Sequence, residues 1–229
     1  MSDTVWFKQV EVGPMQNYAY LIGDPTTHEA AVVDAAWDVD AVLRTAEADG
    51  YTVTKDLVTH FHPDHLGGDL MGHQITGAAE LVGRAPVKVY IHKAELPFVH
   101  RLTGLSASDV VAVEGGDEVT IGKLKVKFLH TPGHTPGSQC FLVGNAVVSG
   151  DTLFIGSCGR VDLPGSSPED MYRSLTEVLA KLPEETILFP GHNYADRPHS
   201  TIGDEKRRNM MLRFSNLKDF LALMSPLRG

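Results

Sequence analysis

Residues 59–65 read Thr59-His60-Phe61-His62-Pro63-Asp64-His65. Three imidazoles and a carboxylate crowd into six positions, and each needs a polar partner if it is buried, so apolar packing does not explain them. The run Asp56–Thr59 before them reads as a buried strand, and Leu66-Gly67-Gly68 follows, which sets the cluster on a strand-to-helix loop. In extended backbone, residues two apart point the same way, so His60 and His62 converge. Pro63 favours the first turn of a helix and swings Asp64 and His65 onto another face. Two pairs facing differently predict two metal sites side by side.

Four ligands from one loop cannot close two coordination shells. Three further candidates sit just past strand ends, where loops carry function over a rigid scaffold. His134 lies in HTPGHTPG, Asp151 in VVSGDTLF and His192 in LFPGHNY. Imidazole with carboxylate favours zinc, iron, manganese or nickel over magnesium and calcium. Such a set also leaves room for a bound water, the mark of a catalytic site rather than a structural one. Alone, His134 or His192 reads as a surface or capping group; the joint pattern carries the metal assignment. His28 and His199 read as exposed loop residues, and His73, His92 and His100 lie in or near an irregular region. His130 reads as support for the HTPGH loop or as core.

Composition narrows the class. The 229 residues are 42% apolar and 21% charged, as in an ordinary globular protein. A net charge of −9 disfavours tracking of nucleic-acid phosphates, and nuclease activity with it. The start MSDTVWFKQVEVG has no basic stretch leading into an apolar run, and no segment approaches the roughly 18 apolar residues of a membrane span. Cys140 and Cys158 form no CxxC pair, which fits a reducing compartment. A cytoplasmic protein without a membrane or nucleic-acid partner is expected; its oligomeric state is not legible.

Strands are predicted at Val5–Val10, Tyr18–Ile22, Ala30–Val33, Val87–Ile91 and Val119–Phe128, the last broken at Gly122-Lys123. A hairpin joins Gln139–Val143 to Ala146–Ser149 through Gly144-Asn145, and Thr186–Phe189 reads as the last strand. Helices are predicted over residues 38–50, from Ser167 to about Leu182, and in short pieces within 203–224. Residues 66–116 read as a helix followed by an irregular insertion near the mouth of the site. Strands then helix, twice over, predict an α+β chain, one domain over 1–229, with two packed sheets and helices outside.

HFHPDH followed by His134, Asp151 and His192 resembles the metallo-β-lactamase superfamily over nearly the whole chain. That resemblance implies an αββα sandwich with metals at one edge. Within it, GDTLFIGSCGR and FPGHNY look like the glyoxalase II (hydroxyacylglutathione hydrolase) branch, and STIGDEKRRN also resembles persulfide dioxygenases. The resemblance implies His60, His62 and His134 on a first metal and Asp64, His65 and His192 on a second. Asp151 bridges them, and Asp64 and Asp151 take part in catalysis. Two divalent ions are implied, zinc first, with iron or manganese as alternatives. Arg160 and Tyr194 are implied substrate contacts. The implied reaction is attack of a metal-held hydroxide on a small-molecule thioester, one that glutathione could carry. The alternative is a single-iron dioxygenase of glutathione persulfide using His60, His134 and Asp151. Only about 30 residues follow Tyr194, too few for the helical domain with which glyoxalase II grips glutathione.

Overall fold

The strand Asn17–Gly23 is buried along its whole length, and its period-two alternation splits it between two interiors. Tyr18, Tyr20 and Ile22 point into a cluster with Phe128, Phe141 and Val148. Ala19 and Leu21 point the other way, onto Val32, Val39, Val42 and Leu81. The first cluster lies between two sheets and the second under helices, so one heptapeptide defines two layers of the fold.

The computed structural model describes residues 5–224; the outermost ends of the expected 1–229 domain, including the first residues of its start, lie outside the described residues. The first sheet begins with β1 (Trp6–Val12), β2 (Asn17–Gly23) and β3 (Glu29–Val33). Helix α1 (Val39–Ala48) leads to β4 (Thr52–Leu57), then α2 (Pro63–Leu66), a hairpin of β5 (Gly68–Leu70) and β6 (His73–Ile75), and α3 (Ala78–Arg84). After these come β7 (Lys88–His92), α4 (Leu96–Thr103) and β8 (Val110–Val113). The second half runs β9 (Glu118–Ile121), β10 (Leu124–His130), β11 (Gln139–Val143), β12 (Ala146–Gly150), and the small pair β13 (Leu153–Phe154) and β14 (Ser157–Cys158). Then follow α5 (Pro168–Arg173), β15 (Ile187–Pro190), β16 (Ser200–Thr201), α6 (Ile202–Arg208) and α7 (Leu217–Met224).

Two six-stranded sheets result, ordered β1-β2-β3-β4-β7-β8 and β16-β15-β12-β11-β10-β9. Both are mixed: β3, β4, β7 and β8 run parallel, as do β12 and β15. Helices cover the outer faces, with Val39, Val42 and Ala46 of α1 buried on the first sheet and Met171 of α5 and Phe220 of α7 on the second. This is the αββα sandwich. Local signals start the helices: the Asp38 carboxylate accepts the Ala41 N–H at 2.8 Å and the Ser167 hydroxyl accepts that of Asp170 at 3.1 Å. Among the described residues no helix is long and apolar enough to cross a membrane.

Parallel neighbours deliver their exits to one edge. Val33 pairs with Leu57, so the loops after β3 and β4 emerge together, and Gly150 pairs with Pro190, so those after β12 and β15 do too. The β10–β11 connection and the start of β2 reach the same edge through antiparallel pairings. The sheets are stitched there: Gln139 donates its backbone N–H to Thr59 O at 3.0 Å and its side-chain amide to Val58 O at 2.8 Å.

Three expectations are corrected. Residues 66–116 are not a helix plus an irregular insertion: after the four-residue α2 come the β5–β6 hairpin, α3 and α4, the strand expected at Val87–Ile91 joins the first sheet as β7, and β8 is added beside it. Their other elements are three or four residues of strand and seven or eight of helix, too short for a clear period. The helix expected to run to Leu182 changes at Ser174–Val178 into a π-turn and then a 3₁₀ turn at Leu179–Lys181. A two-residue strand, β16, follows the one expected to be last and pairs antiparallel with it.

Asp56 is fully buried in β4, and among the described residues neither carboxylate oxygen completes a side-chain hydrogen bond. Burial, then the charge of Asp34, pushes its carboxyl well above the ordinary value, against a smaller pull from the Ala35 amide. A raised folded pKa gives stability that is fully present below the unfolded value near 4 and lost as pH climbs towards the folded one. Asp56→Asn is expected to flatten that loss. In urea unfolding its stability relative to wild type should rise from pH 5 to pH 8 by about 1–3 kcal/mol; a pH-independent difference contradicts this account.

Candidate metal centre

All seven expected ligands meet at the shared edge. Their donor atoms fall into three overlapping groups, His60–His62–His134, His60–His65–Asp151 and Asp64–His65–His192, each with its atoms within 4.8 Å of one another. His60 Nε2 lies 3.1 Å from His62 Nδ1, which lies 2.9 Å from His134 Nε2. On the other side His65 Nε2 and His192 Nε2 are 3.2 Å apart, with Asp64 Oδ2 at 3.3 and 3.6 Å from them. Asp151 faces both: its Oδ2 is 3.6 Å from His134 Nε2 and 3.4 Å from His192 Nε2, and its Oδ1 is 3.3 Å from His65 Nε2.

For three of the rings the far side sets the near side. His134 Nδ1 donates to Arg160 O at 2.8 Å and His192 Nδ1 to Met15 O at 3.0 Å, while His65 Nδ1 meets the Asp34 carboxylate at 2.9 Å. A ring that donates through Nδ1 presents a bare lone pair at Nε2. Those lone pairs aim at one another, an arrangement that needs a cation between them. Asp151 Oδ1 is likewise buried and finds no hydrogen-bond donor among the described residues. Nitrogens sharing a tetrahedral zinc at about 2.0–2.1 Å sit roughly 3.3 Å apart, close to the spacings here. The donor set fits divalent metal ions.

Protonation agrees. Burial pushes His60 well below the ordinary imidazole value, helped by the neighbouring rings, and takes His62 to about 4; neutral imidazole is the ligating form. His65 goes the other way: burial opposes its charge, but Asp64 and Asp151 outweigh that and raise it well above the usual range. For Asp64 and Asp151 burial is again opposed, and the cationic His65 beside them holds both carboxyls low.

Residues that the sequence did not single out hold the ligands. Asp34, just past β3, accepts the Thr59 N–H at 2.7 Å and its hydroxyl at 2.6 Å as well as facing His65. Asn17 donates to Asp64 Oδ2 at 3.0 Å and to Asp64 O at 3.1 Å, and accepts from Trp37 Nε1 at 3.0 Å. Glu95, fully buried, accepts the N–H of Phe61 at 2.8 Å and of Gly137 at 2.6 Å, which ties the HFHPDH loop to the HTPGH loop. Burial pushes its carboxyl to about 7 against those hydrogen bonds. Asp34 and Glu95 both lie within a few residues past a predicted strand, the signal used for Asp151, so the rule could have found them. Gly191 explains a small residue: a Cβ there would lie 2.4 Å from Asp151 Oδ1.

The remaining candidates lie at the rim of the cavity of about 890 Å³ that opens onto the ligands. Tyr194 is 58% exposed and stacks on His192, with ring centroids 4.6 Å apart. Arg160 also lines the cavity, but its guanidinium is held by Asp162 through two contacts of 2.6 Å. His130 stacks on His92 at 3.9 Å and contacts Pro136 O at 3.0 Å, so it braces the HTPGH loop rather than reaching the ligands.

Residues 12–192 match the Metallo-beta-lactamase superfamily. The chain belongs to that superfamily. A hydroxyacylglutathione hydrolase of Maricaulis maris is 37% identical over 183 residues, 79% of this chain and 63% of that protein, so part of the relative has no counterpart here. A probable polyketide biosynthesis zinc-dependent hydrolase, BaeB of Bacillus velezensis, is 27% identical over 90% of this chain and 85% of its own. The crystal structure of ETHE1 from Myxococcus xanthus superposes with a TM-score of 0.84 at 33% identity, over 98% of this chain and 92% of that one.

Asp34→Ala is expected to leave His65 without its orienting carboxylate and to weaken metal retention about 10–100-fold. Titration of the metal-free protein against a chromophoric chelator reads this out. Unchanged affinity would mean that Asp34 serves only the Thr59 turn.

Proposed function

We propose that this protein is a metal-dependent hydrolase of the glyoxalase II type, acting on thioesters. The observation that carries it is the second ligand group: Asp64, His65 and His192 are buried and as fully braced as the first. His60, His62 and His134 would hold one divalent ion, Asp64, His65 and His192 the other, and Asp151 would touch both. Zinc is the first choice, as in the name of the Bacillus relative, with iron or manganese as alternatives. Such ions lower the pKa of water towards about 7 and polarise a carbonyl oxygen.

The chain's own groups do the rest. The carboxylates of Asp64 and Asp151 stay ionised beside the histidines, ready to accept hydrogen bonds from a reacting water. Tyr194 and Arg160 flank the opening as substrate contacts, Tyr194 with its ring against His192. A thiolate of ordinary pKa about 8.5 departs without a strong acid, which suits a site whose carboxyls are held low. The acyl carrier is a small thiol, with glutathione supported by the hydroxyacylglutathione hydrolase relative.

A second reading is oxidation of glutathione persulfide at one iron held by His60, His134 and Asp151; the likeness to ETHE1 supports it. Elemental analysis with two assays separates them. The hydrolase reading expects close to two metals per chain, release of glutathione from S-acyl glutathiones, and no oxygen uptake with the persulfide. It also expects Asp151→Ala to lose at least about a thousandfold in kcat/KM, the scale of a lost metal-centred stabilisation. One iron per chain with oxygen uptake and no thiol release reverses the order.

A further inference from the structure

Five large apolar side chains are exposed among the described residues, and three of them, Met15, Met71 and Tyr194, ring the one opening above the metal ligands. Met71 is the sharpest case. It is 94% exposed at the tip of the β5–β6 hairpin, with φ 53°, and Gly72 after it has φ 84°. A two-residue turn with both φ values positive is of type I′, where asparagine or glycine is preferred and an unbranched apolar residue is strained. An apolar side chain held in a disfavoured conformation, in water, at the lip of a cavity points to a ligand it covers.

The wall beneath it continues the theme. Phe61, between the ligands His60 and His62, stacks on Phe98 of α4 at 4.1 Å between centroids and 11° between planes. Phe154, Ile155 and Leu163 line the same cavity. The two cations on the lining are both engaged, Arg101 over the Phe98 ring at 5.5 Å and Arg160 with Asp162. A small hydroxyacyl group would leave most of this surface wet.

We propose that the cavity is an acyl-chain cleft, and that the substrates are thioesters with an extended apolar acyl group lying along Phe61 and Phe98 beneath Met71. The hydrolytic part rests on the thioesterase reading above. Water adds across the C–S bond: a C–O bond forms, the C–S bond breaks, and a fatty acid and a thiol leave with no change of oxidation state.

Two series on the metal-loaded protein test it: S-acyl glutathiones from acetyl to octanoyl for turnover, and non-hydrolysable S-alkyl glutathiones of the same lengths for binding by calorimetry. Burying a methylene gives about two- to fourfold, so affinity and kcat/KM should climb by that factor with each added carbon until the cleft is filled. Met71→Asn, which suits the turn, should flatten the long end of both series. S-alkyl affinity that is flat or falls with length overturns the cleft, and hydrolysis of the short esters would still leave the thioesterase reading standing. Rising affinity without hydrolysis of any ester keeps the cleft and overturns the thioesterase.

Discussion

Five imidazoles and two carboxylates, all buried except the half-buried His62 and Asp151, lie within a few ångströms of one another, and the rest of the molecule accommodates that constraint. Unpaired, such groups are among the most expensive to take out of water. Here three of the rings are pinned from behind by an acceptor: His65 by Asp34, His134 by the carbonyl of Arg160 and His192 by that of Met15. Pinning fixes the tautomer and leaves the opposite nitrogens facing one another, a donor set suited to a cation.

That constraint explains the placing of the site. Asp34, His60, Asp151 and His192 leave parallel strands whose ends are in register, so a rigid pair of sheets sets their spacing and no long loop has to. Where the loops must touch, small or buried polar residues make it feasible: Gly191 against Asp151, and Glu95 between the two histidine loops. The cavity built over this floor is largely apolar, and it is walled by the segment least readable from sequence, α4 and the β5–β6 hairpin.

That these seven side chains would converge was legible because metal chemistry restricts residue type and spacing tightly: HxHxDH and three strand-end residues have few other uses. The sandwich was legible because α1 carries a clean helical period, and β2 and the β11–β12 hairpin are short apolar runs bounded by turn residues. The braces were only partly so. Asp34 and Glu95 follow predicted strands and Asn17 opens β2, but the role of Asp34, Asn17 and Glu95 depends on what lies opposite them, 31, 47 and 34 positions away for their contacts with His65, Asp64 and Phe61. Arg160 shows the converse: a cation two residues before Asp162 is spoken for by its own neighbour.

By itself, then, the sequence determined the chemistry: which side chains can ligate, the directions of His60 and His62 against Asp64 and His65, and the layered α+β class. Those follow from covalent geometry and short-range period. Only the tertiary structure decided that β7 pairs with β4 and gains β8 beside it, that Asp34 and Glu95 lock the histidine loops, and that an apolar cleft rises over the histidine–aspartate cluster. Each of these arises where distant segments pack, and the free energy of burying a surface depends on the partner surface, which no local pattern encodes.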